Sequence, residues 1–187
     1  QGGGGNWQSI GPDTLFSNKQ ALGLTSAIWA SPTDSNFILA GSGQGGLWKT
    51  TDGGKHWYNI TDGANISGTF GVGCIAVNPS DEDEIWITAP SHFHLQGYDW
   101  FNSSYNFGVL YTTDGGSTWT QESYFANNFF GQSIHKLVYS PDGNIYAFDS
   151  KHIYMKTPFV NWDLIYTLGS TSPIGGKTNA DTSFTDI

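Results

Sequence analysis

The sequence predicts an all-β protein built from repeated four-stranded units. Two segments about sixty residues apart share a Thr-x-Asp-Gly-Gly-x-x-Trp core, at residues 50–57 and 112–119. Strand-like segments recur in groups of four, and the chain is rich in glycine and aromatic residues (25 Gly; 16% Phe, Trp and Tyr). Because four-stranded units repeated every ~45 to 60 residues are typical of propeller blades, we expect a β-propeller.

The predicted strands fall into three groups. Each strand is short and rich in β-branched and aromatic residues, and the first strand of each group ends in proline and a polar turn. The strands are expected at 26–32, 36–41, 46–50 and 56–60, at 74–79, 84–88, 108–112 and 118–121, and at 136–141, 144–148, 152–156 and 162–166. The corresponding blades are expected over about residues 24–61, 71–123 and 133–168.

The Asp-Gly-Gly segment is expected to form the turn between the third and fourth strands of a blade. Glycine permits backbone angles that a Cβ forbids, and the aspartate can accept hydrogen bonds from backbone N–H groups of the turn. In the third group the segment has decayed, and only Trp162 remains. We therefore expect structural roles for the repeat residues, namely Asp52, Gly54, Trp57, Asp114, Gly116 and Trp119.

Both ends of the chain are expected to belong to a larger ring. Residues 1–5 are glycine-rich and are interpreted as a flexible segment at a processed mature N-terminus, or alternatively as an engineered start. Residues 6–11 resemble an outer strand that closes the last blade, and residues 182–187 resemble the start of a fourth blade. Three blades cannot close a ring, so we expect a longer chain, with a three-bladed assembly completed by another subunit as the alternative.

Charge and composition narrow the function classes. The net charge is −9 and the chain contains no arginine, which argues against a nucleic-acid partner. The sequence lacks an apolar run long enough to span a membrane. Cys74, the single cysteine, lies in an apolar stretch and is expected to be a small buried hydrophobe. Few lysines and many Asn, Ser and Thr residues favour an extracellular or cell-surface location.

Two long aromatic segments are the candidate binding loops. If the Asp-Gly-Gly turns lie on one rim, residues 91–107 and 122–132 lie on the opposite rim. Aromatic rings beside Asn, Gln and Asp suit stacking on a sugar or gripping a peptide; alternatively, the loops bury their own rings over the blade edge. The candidate binding residues are His92, His94, Tyr98, Asp99, Trp100, Phe101, Tyr105, Tyr124, Phe125, Phe129 and Phe130.

Histidines do not point to a metal site. On an extended segment His92 and His94 would lie on the same side, with Asp99 as a third candidate ligand, but this spacing alone is weak evidence for a metal. His56, His135 and His152 stand singly in strands and are expected to be structural. We therefore predict no metal, no cofactor and no catalytic residue in this region.

The repeat resembles the Asp-box, or bacterial neuraminidase repeat, of sialidases, sortilin-type receptors, xyloglucan hydrolases and photosystem assembly factors. Residues 7–12, 45–54 and 75–81 are similar to repeat proteins that the type IX secretion system of Bacteroidetes exports. The resemblance covers about residues 6–187 and implies an exported β-propeller.

The catalytic groups of the enzymes in this family have no counterpart here. Sialidases hold the substrate carboxylate with an arginine cluster, and this chain has no arginine. Related xyloglucan hydrolases carry an aspartate in the loop before the Gly-Gly of the first blade, where Gly43 stands. A nucleophile elbow is also missing from the sequence. The region is therefore expected to be non-catalytic.

The expected function is a secreted or cell-surface binding module for a protein or a glycan, with proteins of a secretion or surface complex as further candidate partners. One alternative is a glycoside hydrolase whose catalytic groups lie in blades beyond this chain, and another is a type IX passenger bound to its export machinery. N-glycosylation patterns at Asn59, Asn65 and Asn102 suit a sortilin-like receptor, whereas the lack of paired cysteines argues against one.

Overall fold

The computed structural model describes six stretches of the chain. They comprise residues 25–43, 45–64, 71–89, 107–128, 134–158 and 161–168. The predicted flexible start (1–5), the strand at 6–11 and the start of a fourth blade (182–187) lie outside these residues. The described part of the chain holds no helix with the length and hydrophobicity needed to cross a membrane.

The described strands form three antiparallel four-stranded sheets, which confirms the predicted propeller blades. Blade 1 contains β1 (Thr25–Ala30), β2 (Ile38–Ser42), β3 (Gly46–Thr50) and β4 (Tyr58–Asn59). Blade 2 contains β5 (Cys74–Asn78), β6 (Asp81–Thr88), β7 (Val109–Thr112) and β8 (Thr120–Gln121). Blade 3 contains β9 (Lys136–Tyr139), β10 (Ile145–Phe148), β11 (His152–Lys156) and β12 (Asp163–Thr167).

Strand order within each blade follows the chain, and the first strands β1, β5 and β9 lie beside one another. This is the arrangement expected when first strands surround a propeller axis. The three blades do not close a ring. A short helix, α1 (Ser123–Asn128), leads from blade 2 to blade 3, where the sequence suggested a loop.

Most strands begin or end one to three residues from their predicted bounds, and two of these differences have clear local reasons. β6 begins at Asp81, three residues before the predicted start, because the chain turns tightly and Asn78 pairs with Asp81 beside a register shift. β4 is shorter than predicted, with only two paired residues, since the turn that precedes it extends as far as Trp57. In blades 1 and 2 the outermost strands, β4 and β8, are the shortest, which limits the exposed sheet edge there.

Blade 2 is buried on both faces. Along β6, Ile85 and Ile87 pack in a core shared with blade 1, while Trp86 packs in a second core shared with blade 3. This division follows from the alternation of side chains across a strand. Gly41 of β2 brings blade 1 close to blade 2, because a Cβ there would lie 2.8 Å from Cγ1 of Val72.

Blades 1 and 3 each keep one face outward. On blade 1 the register places Ile28, Ala40 and Trp48 in one cross-strand row, and Ile28 is 70% exposed. On blade 3 the exposed Val138 lies opposite Tyr146. These faces are apolar in the middle of the sheet, unlike a typical solvent-facing surface.

Two carboxylates of β6 tie blade 2 to its neighbours. Glu82 accepts hydrogen bonds from the hydroxyls of Ser31 (2.6 Å) and Thr33 (3.1 Å) in blade 1. Glu84 accepts one from the Tyr139 hydroxyl of blade 3 at 2.6 Å. Burial opposes ionisation of Glu84, but hydrogen bonds led by that of Tyr139 outweigh it, so the pKa of Glu84 is lowered.

Cys74 behaves as a packed residue at the contact between β5 and β9. The backbone N–H of Leu137 donates to its sulfur at 3.3 Å. Burial raises the pKa of the Cys74 thiol, which disfavours the nucleophilic thiolate.

Candidate functional site

The hairpin connections divide the blades into two rims. The turns that join first to second and third to fourth strands lie at one end. We call its described part the turn rim (31–37, 51–57, 79–80, 113–119, 140–144, 157–158 and 161–162). The connections from second to third strands and from blade to blade lie at the other end. We call its described part the loop rim (43, 45, 60–64, 89, 107–108, 122–128 and 149–152).

The first Asp-Gly-Gly turn is closed by its own polar groups. The backbone N–H of His56 and the hydroxyl of Thr50 donate to Oδ1 of Asp52, at 2.9 and 2.8 Å. Nδ1 of His56 lies 2.6 Å from Oδ2 of Asp52. Gly54 donates its N–H to the Thr50 hydroxyl at 3.0 Å. The carboxylate therefore serves the turn itself.

The second turn repeats this network with threonine in place of histidine. Thr118 donates its backbone N–H to Oδ1 of Asp114 at 2.8 Å and its hydroxyl to Oδ2 at 2.6 Å. Thr112 donates its hydroxyl to Oδ1 at 2.7 Å and accepts the N–H of Gly116 at 3.1 Å. The donors differ between the two turns, but in both of them the aspartate carboxylate accepts its hydrogen bonds from residues of its own turn.

These hydrogen bonds lower the pKa of both aspartates. For Asp52 the backbone N–H of His56 is the largest cause, followed by the imidazole. For Asp114 the Thr118 hydroxyl is the largest cause, followed by the Thr112 hydroxyl, and the pKa falls from 3.8 to about 2. Hydrogen bonds to an ionised carboxylate stabilise that form. Neither aspartate has the raised pKa that a catalytic acid needs.

Positive backbone angles explain the paired glycines. Gly53 and Gly54 have φ values of 71° and 90°, and Gly115 and Gly116 have φ values of 67° and 98°. L-residues with a Cβ rarely adopt such angles. A Cβ at Gly116 would also lie 2.6 Å from Cδ1 of Ile60, so the second turn packs against blade 1.

The three repeat tryptophans make different contacts. Nε1 of Trp57 donates to the carbonyl of Gly54 within its own turn, at 3.1 Å. Nε1 of Trp119 donates to the carbonyl of Ile60 in blade 1, at 2.8 Å. Trp162 of blade 3 is buried against Trp86, and its Nε1 has no hydrogen-bond partner in the described part of the chain. Blade 3, which lacks the repeat aspartate, therefore still has its tryptophan packed in the core.

Most of the predicted binding residues lie outside the described part of the chain. These are His92, His94, Tyr98, Asp99, Trp100, Phe101, Tyr105, Phe129 and Phe130. Within the described residues, no group of three or more His, Cys, Asp or Glu side chains is arranged to hold a metal ion.

The two described candidates, Tyr124 and Phe125, lie in α1 and have different surroundings. Phe125 is 2% exposed, and its ring centroid lies 4.8 Å from that of Trp162 and 5.5 Å from that of Tyr154. Gly108, with φ of 69°, lets α1 approach, since a Cβ there would lie 3.3 Å from Cβ of Phe125. Phe125 is a core residue, as the alternative of self-burial expected, and it is withdrawn from the candidate ligand contacts. Tyr124 is half-buried.

Beside α1 lies a polar cluster that contains none of the binding residues predicted from the sequence. Asp149 follows β10, is 1% exposed, and accepts backbone N–H bonds from Lys151 and His152, both at 2.6 Å. Its Oδ2 also lies 2.8 Å from Nδ1 of His152 and accepts the Tyr154 hydroxyl at 3.0 Å. Burial raises the pKa of Tyr154, and the charge of Asp149 raises it further. The tyrosine therefore stays protonated as a donor.

The cluster lies between blades 2 and 3 on the loop rim. Ala147 and Tyr154 share the face of blade 3 that packs toward blade 2, and Asp149 accepts the Tyr154 hydroxyl. Tyr124 of α1 lies 6.1 Å from Tyr154 between ring centroids. The sequence signal that could have found this cluster is the aspartate three residues before His152 in a tight β-turn. That signal is weak because short Asp-containing turns are common.

At the first glycosylation pattern, the side-chain amide of Asn59 is engaged in hydrogen bonds within the protein. Oδ1 of Asn59 accepts the backbone N–H and the hydroxyl of Thr61, both at 2.8 Å, while its Nδ2 donates to the carbonyl of Gly45 at 2.9 Å. The amide therefore closes the loop rim of blade 1. The patterns at Asn65 and Asn102 lie outside the described residues.

Comparison with known proteins identifies the fold. No protein-family model matches the chain, and no curated protein matches it. Among solved structures, the chain is similar to the GH74 enzyme of Niastella koreensis (TM-score 0.56, 22% identity, 75% of this chain and 21% of that one). It is also similar to the GH74 xyloglucanase of Xanthomonas campestris (TM-score 0.54, 16% identity, 84% and 23%).

A third similar structure is the extracellular domain of a B. thetaiotaomicron protein (TM-score 0.51, 15% identity, 77% of this chain and 17% of that one). The chain spans about a fifth of the length of these three structures. At these identities the similarity concerns the fold alone. Together with the three four-stranded sheets, it shows that the chain has a β-propeller fold whose three blades do not close a ring.

Proposed function

We propose that this chain is part of a secreted or cell-surface β-propeller that binds a protein or a glycan through its loop rim and is non-catalytic in this region. The observation that carries the proposal is the difference between the rims. On the turn rim, Asp52 and Asp114 are saturated by donors of their own turns. On the loop rim, Tyr124 is half-buried, and Nε2 of His152 has no hydrogen-bond partner among the described residues.

The finer assignments belong to the same proposal. The Asp-Gly-Gly turns are Asp-boxes, the blades span about residues 24–61, 71–123 and 133–168, and export follows the type IX route. The self-contained hydrogen bonds of both turns support the Asp-box assignment. The acidic, arginine-free composition agrees with a partner other than nucleic acid. Proteins of a secretion or surface complex are candidate partners beside a glycan.

The test is binding by the full chain to a panel of neutral polysaccharides and a peptide array. Replacement of Tyr98, Trp100 and Phe101 by alanine should abolish binding while the far-UV circular dichroism spectrum stays unchanged. The matched control is Tyr58→Ala, since Tyr58 is an aromatic residue that is 64% exposed on the outer strand of blade 1. Unchanged binding by the triple variant, or equal loss in the control, would contradict a loop-rim site.

The alternative is a glycoside hydrolase whose catalytic carboxylates lie in blades beyond this chain. Hydrolysis of a polysaccharide by the longest gene-encoded chain, abolished by replacing one carboxylate outside residues 1–187, would favour this alternative. Hydrolysis abolished by Asp52→Asn or Asp114→Asn would instead contradict the structural role of the turn aspartates.

A further inference from the structure

The loop rim holds one imidazole whose orientation is determined by buried groups. Both oxygens of Asp149 lie within 3.0 Å of Nδ1 of His152, and Oδ1 also accepts the backbone N–H of the same residue. A carboxylate can only accept, so Nδ1 carries the hydrogen and Nε2 of the neutral ring is an acceptor. His152 retains 22% of its side-chain exposure, whereas Asp149 retains 1%.

Two tyrosines lie near this imidazole: Tyr154 packs beside it and is buried (2% exposed), and Tyr124 of α1 packs on Tyr154 and is half-buried. The ring centroids of His152 and Tyr154 lie 5.9 Å apart, and those of Tyr154 and Tyr124 lie 6.1 Å apart. Tyr154 is itself held by its hydrogen bond to Asp149. Aromatic side chains beside an oriented polar group are the combination that lines small-ligand sites.

The negative charge of the chain and the strand order of blade 3 limit the classes of ligand that this site can bind. The chain carries a net charge of −9, and the carboxylate of Asp149 lies directly behind the imidazole, so an anionic ligand is disfavoured. A peptide could be bound by strand addition, but β10 and β11 are inner strands with both edges paired. A neutral ligand that offers hydroxyl donors and an apolar ring face fits both the acceptor and the half-buried ring of Tyr124.

We propose that His152 contacts the ligand in a neutral-saccharide site between blades 2 and 3 on the loop rim, and that Asp149 positions it. This inference rests on the proposed function and names its ligand class. Nε2 of His152 accepts a hydrogen bond from a sugar hydroxyl, and Tyr124 contacts the sugar ring. Asp149 does not contact the ligand itself. It stabilises the Nδ1–H tautomer of His152, in which the outward Nε2 is an acceptor.

The test measures binding of the full chain to xyloglucan, mixed-linkage β-glucan and galactomannan by isothermal titration calorimetry. His152→Asn keeps an N–H close to the place of Nδ1 and removes the outward acceptor. We expect the dissociation constant for the bound polysaccharide to rise about tenfold, the effect of one lost hydrogen bond. His152→Gln, whose amide oxygen reaches further outward, should lose less affinity than His152→Asn.

The matched control is His56→Asn. His56 forms the corresponding pair with an aspartate on the turn rim, with Nδ1 2.6 Å from Oδ2 of Asp52. The His56→Asn substitution should leave the dissociation constant unchanged. Thermal unfolding of each variant separates loss of fold from loss of contact. If His152→Asn fails to fold, His152→Phe takes its place, because it keeps a planar ring and removes the outward acceptor; equal affinity of His152→Phe and the unaltered chain overturns the proposal.

A spectroscopic readout tests the positioning role of Asp149. The long-range ¹H–¹⁵N spectrum should show His152 as the Nδ1–H tautomer in the unaltered chain. Asp149→Asn should shift it toward the Nε2–H tautomer, an effect that a purely structural aspartate would not produce. An Nε2–H tautomer in the unaltered chain contradicts the proposed acceptor.

The outcomes separate this inference from the proposed function. A polysaccharide bound equally by the unaltered chain and His152→Asn, but lost in the Tyr98, Trp100 and Phe101 variant, overturns the inference alone. Binding to the peptide array without binding to any polysaccharide also overturns only the inference. Absence of binding to both panels overturns both.

Discussion

Each rim of this propeller contains a histidine paired with an aspartate, and the two pairs differ in burial. On the turn rim, Asp52 and His56 are 35% and 71% exposed. On the loop rim, Asp149 and His152 are 1% and 22% exposed. The exposed pair has a counterpart in Asp114 and Thr118, where a hydroxyl replaces the imidazole. The turn therefore requires a donor at that position and does not require a histidine.

The buried pair has less freedom. Asp149 receives two backbone N–H bonds, the Tyr154 hydroxyl and the imidazole within a tight turn, so every donor depends on one carboxylate. Burying a charge requires this kind of compensation. The comparison teaches that a similar sequence pattern, aspartate followed by histidine, can close a solvent-facing turn or orient an imidazole, depending on burial.

The largest expected effect comes from removing the buried carboxylate. Asp149→Ala leaves buried donors of Tyr154 and the turn without an acceptor, and should lower the free energy of unfolding by about 3 kcal/mol. Asp52→Ala should cost less, because water can replace its partners. Urea denaturation of both variants measures the difference. Equal losses would show that burial does not distinguish the pairs.

A smaller effect is expected from the turn glycines. Gly116→Ala combines a positive φ with a clash against Ile60, and should destabilise the fold by about 2 kcal/mol or more. Gly53 has a positive φ of 71°, and a Cβ there would meet only Oδ1 of Asn36, at 3.3 Å. Gly53→Ala should therefore lower the free energy of unfolding by about 1 kcal/mol. Thermal unfolding compares them. A larger loss for Gly53→Ala would contradict the packing of the second turn on blade 1.

The smallest expected effect is a pH dependence of the turn rim. The folded pKa of Asp114, about 2, lies below its unfolded value of about 3.9, so its stabilisation is present above about pH 4 and is lost as pH falls toward 2. Asp52 contributes with the same sign. The stability difference between the unaltered chain and Asp114→Asn should therefore shrink from pH 5 to pH 2.

Urea midpoints at several pH values measure this dependence. Asp62→Asn is the matched control, because Asp62 is an exposed aspartate outside both Asp-Gly-Gly turns. A stability difference between the unaltered chain and Asp114→Asn that stays constant with pH would contradict the lowered pKa.

Much of the fold could be predicted from the residues. The repeated Thr-x-Asp-Gly-Gly segment and the proline after each first strand indicated three groups of four strands, which the structure contains. The helix α1 was missed because its sequence, Ser123–Asn128, is rich in aromatic residues and asparagine, which carry weak helix preference. Its position instead depends on packing of Phe125 over Gly108.

The candidate site was only partly predictable. The sequence predicted the loop rim as the binding face, which stays a prediction, and it named Tyr124 and Phe125 among the candidate residues. It did not distinguish Tyr124 from Phe125, because both neighbours are aromatic and only the approach of blade 3 buries the second. From the sequence, His152 was expected to be structural. Its pairing with Asp149 through Nδ1 could not be predicted, because that contact depends on the turn conformation.

The sequence alone determined the repeat, its turns and the class of fold. Strand alternation, glycine conformation and the short reach of aspartate are local properties, so they can be read from neighbouring residues. Only the tertiary structure decided which aspartate is buried and which tryptophan crosses to another blade. Burial and blade-to-blade contacts join residues far apart in the chain, and in a propeller they depend on how each blade packs against the next.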